Sequence, residues 1–431
     1  VPEQRSERPE RVTAPSFVGR VVAPTPPTPH IRGERYRELD GYRGIAVLAI
    51  SLFHVFQFCN VDHYLYFGTP GYTLLNSLDA MVPFFFVLTA FLLFEPIARS
   101  AIEGGRPISG RGFLVRRAVR ILPVYYVAVV VVWFTRQPSL PGDWRDLLEH
   151  LTFTQVFDSK RIFYTNGPAW SLSVEVFFYL GLVVLSIGLA RTCRHLATRK
   201  HRIAVIGMSI VALACISISW KTWAFGIGHE STTGSFSTWF GPLANLDNFA
   251  VGMALAVVVG TLGDIRPLTA RSRVALRLGA LAILVFAFTT RQANAWTGVY
   301  FSTFCAVGFG ALIAAAVLGP PGDRWSRALS PRPLLWLGTI SYSIYLWNEP
   351  VLLGLNGWHG LVRQSPGAFV VDALVVLVFS VIVGLISFVL IERPTSQLGR
   401  VFRRDGRLQL PSGESHGDRR EWETFASGNP F

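Results

Sequence analysis

Apolar runs recur along this chain around residues 45–58, 81–94, 119–134, 169–190, 203–220, 240–262, 274–290, 296–318, 334–355 and 369–391, ten in all. A helix of about 20 mostly apolar residues crosses a hydrocarbon layer about 30 Å thick, and a backbone within that layer must satisfy its own amides. Helices meet that demand; open sheets do not. With 51% of its 431 residues hydrophobic and 16% charged, the chain is too apolar for a soluble multidomain protein. The expectation is an all-α, polytopic membrane protein with about ten transmembrane helices.

A formal charge of +13 would suit a nucleic-acid partner if the basic residues were clustered, but they alternate by loop. Arg99, Arg106, Arg111, Arg116 and Arg117 precede the third run, and Arg191, Arg194, Arg199, Lys200 and Arg202 follow the fourth. Arg266, Arg271 and Arg273 follow the sixth; Arg324, Arg327 and Arg332 follow the eighth. Between them, residues 60–71 carry no Lys or Arg, 221–239 only Lys221, 291–295 only Arg291 and 356–368 only Arg363. The positive-inside rule then puts both termini in the cytoplasm and the first loop outside. The charge is topological, and no nucleic-acid partner is expected; the bilayer is.

Residues 1–37 hold Ala23-Pro24-Thr25-Pro26-Pro27-Thr28-Pro29 among charged groups and read as a disordered cytoplasmic arm. Residues 38–394 form the transmembrane domain, and 395–431 a polar cytoplasmic tail. The polar N-terminus does not resemble a cleavable signal peptide. Cys59, Cys193, Cys215 and Cys305 show no paired spacing, so neither a disulfide framework nor a metal site is expected. Lysine occurs only at Lys160, Lys200 and Lys221, an arginine bias that a GC-rich bacterial genome would explain. That places the chain in a bacterial plasma (inner) membrane.

Within the spans, the polar residues carry the functional signal. Arg43 and His54 are eleven positions apart, close to three helical turns, so they share a face. A rise of about 1.5 Å per residue puts His54 roughly 16 Å deeper than Arg43, near mid-membrane. An ionisable group there usually faces a cavity or a partner. Glu175, entering from the other side in the fourth run, reaches a similar depth. Arg117 and Arg120, three apart at the inner end of the third run, can grip a phosphate between two guanidinium forks. Asp79, Asp247, Tyr345, Asn348 and Glu349 fall in outer halves of spans, where they can line a substrate cavity. Pro83, in the second run, is expected to free a backbone carbonyl. The 144–157 segment has an amphipathic pattern, Leu147, Leu148, Leu151 and Phe153 against Asp146, Glu149 and His150, suited to lying over a site at the outer interface.

Several of these pieces, in order, resemble the acyltransferase 3 family of integral membrane O-acyltransferases. They are Leu39-Asp40-Gly41-Tyr42-Arg43-Gly44 with His54, Phe84-Phe85-Phe86-Val87-Leu88-Thr89-Ala90-Phe91-Leu92, residues 117–123, 170–179 and 340–350, and Ile391-Glu392-Arg393-Pro394. The likeness covers nearly all of residues 39–394. Two positions depart from it: the family often has Ser-Gly where Thr89-Ala90 stands, and commonly a histidine in place of Asn348. The resemblance implies transfer of an acyl group, often acetyl, from cytoplasmic acyl-CoA to a hydroxyl of an extracytoplasmic or membrane-linked carbohydrate or glycolipid. It ties the arginine and histidine matched by Arg43 and His54, and the arginines matched by Arg117 and Arg120, to that reaction. His54 would then be the general base, Glu175 would orient or charge-balance its imidazole, and Arg43 would steady the donor. Acetyl-CoA is the expected co-substrate, without a metal. The family's longer members carry an extracytoplasmic hydrolase-like domain after the last span, which is not expected here.

Two other classes fit parts of the pattern. A transporter also needs mid-membrane polar groups, but would show a correspondence between the two halves, which is not evident. A lipid-sugar glycosyltransferase would use Asp62, a single acid in the first loop.

Overall fold

The structure, a computed structural model, describes residues 37–59, 68–136, 143–231, 234–262, 268–319, 322–358, 361 and 366–397. The expected disordered arm, apart from Arg37, lies outside those residues, as do Asp62 and all of the expected tail from 398 onward. At the borders, helix already begins at Arg37 and runs on to Gln397.

The main helices are α1 (Arg37–Cys59), α2 (Pro70–Asn76), α3 (Met81–Ile102), α4 (Gly110–Arg136), α5 (Trp144–Leu151), α6 (Ala169–Cys193) and α7 (Arg199–Gly226). They continue as α8 (Leu246–Leu262), α9 (Ala270–Thr290), α10 (Phe301–Val317), α11 (Arg332–Thr339), α12 (Ser341–Gly357) and α13 (Pro366–Ser387). No strand occurs among the described residues. The protein is an all-α, polytopic membrane protein.

Eight helical stretches among the described residues are long and apolar enough to cross a membrane by length and composition. The other two expected spans are broken. In the eighth run a short helix, Ala295–Val299, ends at Tyr300 and leaves α10 with 17 residues, about 26 Å of rise. The ninth run is divided at Ile340 into α11 and α12. Pro83, expected inside a span where it would free a backbone carbonyl, is instead the third residue of α3, in the first turn, where its missing N–H has no partner within that helix to lose. Pro96, Pro123 and Pro350 are the prolines inside these helices. Near Pro123 the Tyr342 hydroxyl donates to the Ile121 carbonyl at 2.8 Å, a neighbouring helix satisfying backbone close to the proline.

The core is built on α3, whose Ala90, Phe91, Phe94 and Ala98 are fully buried. Phe86 meets Phe249 of α8 at 4.8 Å between ring centroids, and Phe249 stacks on Phe178 of α6 at 3.9 Å. By contrast α7, α9 and α13 turn Val211, Val285 and Leu374 outward. Such an outer surface suits lipid.

Glycines set how α1 is seated. A Cβ on Gly41 would collide with the Leu329 carbonyl, and one on Gly44 with the Leu334 carbonyl; on the facing segment a Cβ on Gly338 would strike the Asp40 backbone. The Asp-Gly-Tyr-Arg-Gly motif therefore lets α1 lie backbone to backbone on the 329–338 segment, which fixes the direction in which Arg43 leaves the helix. The same end is tied by ion pairs. Arg277 contacts Asp323 at 2.5 Å and Glu38 at 3.7 Å, and Arg273 contacts Asp323 at 3.2 Å. Burial pushes the Asp323 carboxyl upward, but the Arg277 hydrogen bond, the Ser326 amide and the two guanidinium charges outweigh it and hold the group below the ordinary carboxylate value.

The amphipathic expectation for 144–157 is met only in part: Leu147, Leu151 and Phe153 pack inward as expected, with Phe153 stacked on Tyr125. In α5 the polar pair Asp146 and His150 is fully buried, whereas Leu148 and Trp144 are exposed. Hydrogen-bond partners explain why Asp146 and His150 are buried as well. Thr165 donates to Asp146, His150 Nδ1 lies 3.2 Å from the Asp146 carboxylate, and the Tyr125 hydroxyl donates to the His150 carbonyl at 2.8 Å.

Candidate active site

Two cavities lie against one another inside the bundle. The larger, about 580 Å³, is lined by His54 and Gln57 of α1, Asp79 and Pro83 around the start of α3, Gly167 and Trp170 at the head of α6, and Tyr345 and Glu349 of α12. The smaller, about 170 Å³, is lined by Arg43, Arg117, Arg120, Glu175, Tyr179, Ser341 and Tyr345, among others. Val82 and Tyr345 line both. Arg43 and His54 thus leave the same face of α1 into different chambers, as their spacing and depth require.

His54 is held through one ring nitrogen. Its Nδ1 lies 2.6 Å from Asn348 Oδ1, while Asn348 Nδ2 donates to the Tyr345 carbonyl at 3.0 Å. With the amide orientation set by that second bond, Oδ1 must accept, so Nδ1 carries the hydrogen and Nε2 keeps its lone pair. Such an imidazole can take a proton from a hydroxyl brought into the larger cavity.

The arginine chamber has a different character. Arg43 donates to the Ser341 hydroxyl at 3.0 Å and pairs with Asp40 at 3.3 Å. Among the described residues Arg117 and Arg120 form no hydrogen bond and no ion pair within 4 Å, yet both line the cavity; Arg116 is exposed. Glu175 accepts from Thr89 at 3.1 Å and from the Tyr179 hydroxyl. It lines the arginine chamber and does not reach His54. The expected pairing does not form: Glu175 shares its chamber with Arg43, Arg117 and Arg120, whereas His54, eleven residues along α1 from Arg43, lines the other. Asn348 stands where Glu175 was expected.

Several candidates expected to line the substrate cavity are placed differently. Asp79 does line the larger cavity, but in a bidentate pair with Arg291, at 2.6 and 2.8 Å. Asp247 is buried behind the wall, bonded to Lys221 at 2.8 Å, to Ser217 at 2.9 Å and to Thr303. Lys221 faces the cavity in its stead. Asn348 is 1% exposed and lines neither chamber; its side chain is bonded to the His54 imidazole. Tyr345 is fixed by hydrogen bonds with Ser171 at 2.8 Å and the Pro168 carbonyl at 3.2 Å. Glu349 lines the larger cavity, packed over Gly167, where any Cβ would strike its carboxylate.

Other residues were not singled out by the sequence. Phe163, Phe236, Trp239 and Phe240 form an aromatic wall of the larger cavity. Lys221 and Arg291 stood out only as exceptions to the charge alternation; each proves to be paired with an acid. Glu392, part of the Ile391-Glu392-Arg393-Pro394 motif but given no role from the sequence, closes a π-helical turn at Phe388–Glu392, accepts from Ser343 at 2.6 Å and lies within electrostatic reach of Arg120 and Arg43. π-Turns are frequent at functional sites, but no periodicity in the sequence marks one. Among the described residues no group of three or more His, Cys, Asp or Glu is placed to hold a metal ion.

A basic chamber and an imidazole chamber within one helical membrane bundle narrow the class, and comparison with known sequences gives the family. The acyltransferase domain family matches residues 36–392, and the chain belongs to it. The peptidoglycan O-acetyltransferase OatA of Listeria monocytogenes is 25% identical over 334 residues, covering 73% of this chain and 49% of that protein. The O-acetyltransferase OatA of Staphylococcus aureus is 24% identical over 379 residues, 84% of this chain and 57% of that protein. This chain therefore spans about half the length of these OatA relatives. BcsY of Komagataeibacter xylinus, whose name marks it as a membrane-bound transacylase, is 26% identical over 403 residues, 86% of this chain and 88% of that protein. No solved structure matches.

Proposed function

We propose that this chain is an acyl-CoA-dependent O-acyltransferase, with acetyl-CoA as donor and a hydroxyl of an extracytoplasmic or membrane-linked carbohydrate or glycolipid as acceptor. The observation that carries the reading is the pair of chambers: Arg117 and Arg120, without a hydrogen bond or close ion pair among the described residues, line one, an oriented imidazole lines the other, and Val82 and Tyr345 line both. The positive-inside rule assigns the arginine-rich end of the bundle to the cytoplasm, where CoA is available. Localisation in a bacterial inner membrane follows from the same reading.

Arg117 and Arg120 bind donor phosphate, and Arg43, held by Ser341 and Asp40, steadies the donor nearer the centre. Glu175 contributes to this chamber rather than to the base: with Thr89 and Tyr179 it supplies hydrogen-bonding groups beside the arginines. The acceptor hydroxyl enters the larger cavity, whose aromatic wall suits the apolar face of a sugar ring. His54 Nε2 takes the hydroxyl proton as the oxygen attacks the thioester carbonyl. The C–O bond forms, the C–S bond breaks, and the departing thiolate receives the proton from the imidazolium. General-base catalysis of this kind contributes about 10²–10⁴ in rate. Asp79 and Asp247, each neutralised by a cation, shape the acceptor side rather than act as bases.

The test uses purified protein in liposomes with labelled acetyl-CoA and envelope glycan extract. Thioester consumption with label appearing on glycan is expected. Arg117→Ala/Arg120→Ala protein should raise the donor KM on the order of ten- to hundredfold, the cost of losing charge-assisted hydrogen bonds. Absence of CoA binding together with solute flux across the liposomes would make the chain a transporter instead.

A further inference from the structure

The wall between the chambers is thin and unequally anchored. Tyr345 is its fixed part, bonded at its hydroxyl to α6 and the Pro168 carbonyl. The carbonyl of the same residue holds Asn348, which holds His54, so the wall and the base are set by a single turn of α12. Phe85 is the loose part. It lines the arginine chamber, lies 6.2 Å from the Tyr345 ring and 5.4 Å from the Phe84 ring between centroids, and has no polar group to anchor it. Val82, one helical turn earlier on α3, completes the wall and faces both chambers.

We infer that Phe85, closing against Tyr345 and Val82, is the septum between donor and acceptor chambers, and that it limits acyl-chain length and keeps water from the thioester. The inference rests on the donor and acceptor assignment above. A short acyl group passes when the Phe85 ring changes rotamer, because only van der Waals contacts oppose that motion, whereas Tyr345 would have to give up its hydrogen bonds. A longer alkyl chain meets the closed pair. The same closure governs a side reaction. Water reaching the thioester would bond through oxygen to the acyl carbon as the C–S bond breaks, releasing carboxylic acid and the CoA thiol without an acceptor. At about 580 Å³ the larger cavity has ample room for water, and the septum separates it from the donor side.

The experiment compares wild-type protein with Phe85→Ala, Phe85→Leu and His54→Ala in liposomes, supplied with acetyl-, butyryl- and hexanoyl-CoA, with and without envelope glycan. Thermal unfolding confirms that each variant is folded, and Phe85→Leu keeps the test open should Phe85→Ala fail to fold. Opening the septum is expected to raise the butyryl-to-acetyl transfer ratio about tenfold or more, and to raise acceptor-independent thioester hydrolysis, with Phe85→Leu intermediate. Folded Phe85 variants with the wild-type acyl profile and the wild-type hydrolysis rate overturn the septum, provided His54→Ala protein in the same membranes has lost transfer. If His54→Ala protein transfers normally, the donor and acceptor assignment falls first and the septum falls with it.

Discussion

Asn348 is the residue on which the orientation of the imidazole depends. It accepts the Nδ1 hydrogen of His54 and donates to the Tyr345 carbonyl, so both ends of its amide are in use. Asn348→Ala would leave His54 free to rotate and to exchange tautomers without removing it. The expected outcome is a loss of transfer smaller than the about 10²–10⁴-fold expected for loss of the base itself, with donor KM unchanged. Asn348→Asp, which still offers an acceptor to Nδ1, should recover part of the activity of Asn348→Ala. Steady-state kinetics on the three proteins separates these outcomes; equal rates in all three would dissociate Asn348 from the base.

The residue scale is also where sequence reading succeeded and failed most clearly. That Arg43 and His54 leave one helix toward interior cavities was legible because helical periodicity relates their directions. Relations between helices were not. Glu175, expected beside His54, is instead bonded to Thr89 and Tyr179 in the arginine chamber. Lys221 and Arg291 counted as loop charges, since composition cannot show that each folds back onto an acid. A buried cation of this kind is retained only when paired, because its desolvation is costly.

At the scale of elements, seating α1 depends on small residues and on ion pairs at the arginine-rich end. Gly41, Gly44 and Gly338 permit the backbone approach; Asp323 links Arg273 and Arg277 to the turn preceding α11. Because the folded Asp323 carboxyl lies below its ordinary value, its contribution to stability is fully present above about pH 3.9 and is lost as pH falls through the lowered value. Asp323→Asn keeps an N-cap acceptor for Ser326 but removes the charge. It should lower stability at pH 7 by on the order of 1 kcal/mol, given partial exposure, and the difference from wild type should close as the pH drops below about 4. Thermal unfolding in detergent across pH reads this; a difference that grows toward acid would contradict it. The positions of most elements were legible from the apolar runs. The breaks at Tyr300 and Ile340 were not, since hydropathy does not register where a helix stops and restarts within an apolar run. Nor was the burial of Asp146 and His150 in α5, where Tyr125 and Thr165 meet them from other segments.

For the molecule as a whole, the apolar runs made the all-α membrane architecture readable, and the order of motifs made the family readable. What lay beyond both was the division of the interior. Two chambers meet at Val82 and Tyr345, and the residues lining each come from helices far apart in the chain. Under the proposed function this is a division of labour, with the arginine chamber governing donor affinity and the imidazole chamber governing the chemical step. Wild-type and His54→Ala proteins, reconstituted in liposomes and assayed together for acetyl-CoA binding and acetyl transfer to envelope glycan, put that division to the test. His54→Ala protein should bind acetyl-CoA with wild-type affinity and transfer about 10²–10⁴-fold more slowly. Folded His54→Ala protein that transfers acetyl at the wild-type rate would contradict it.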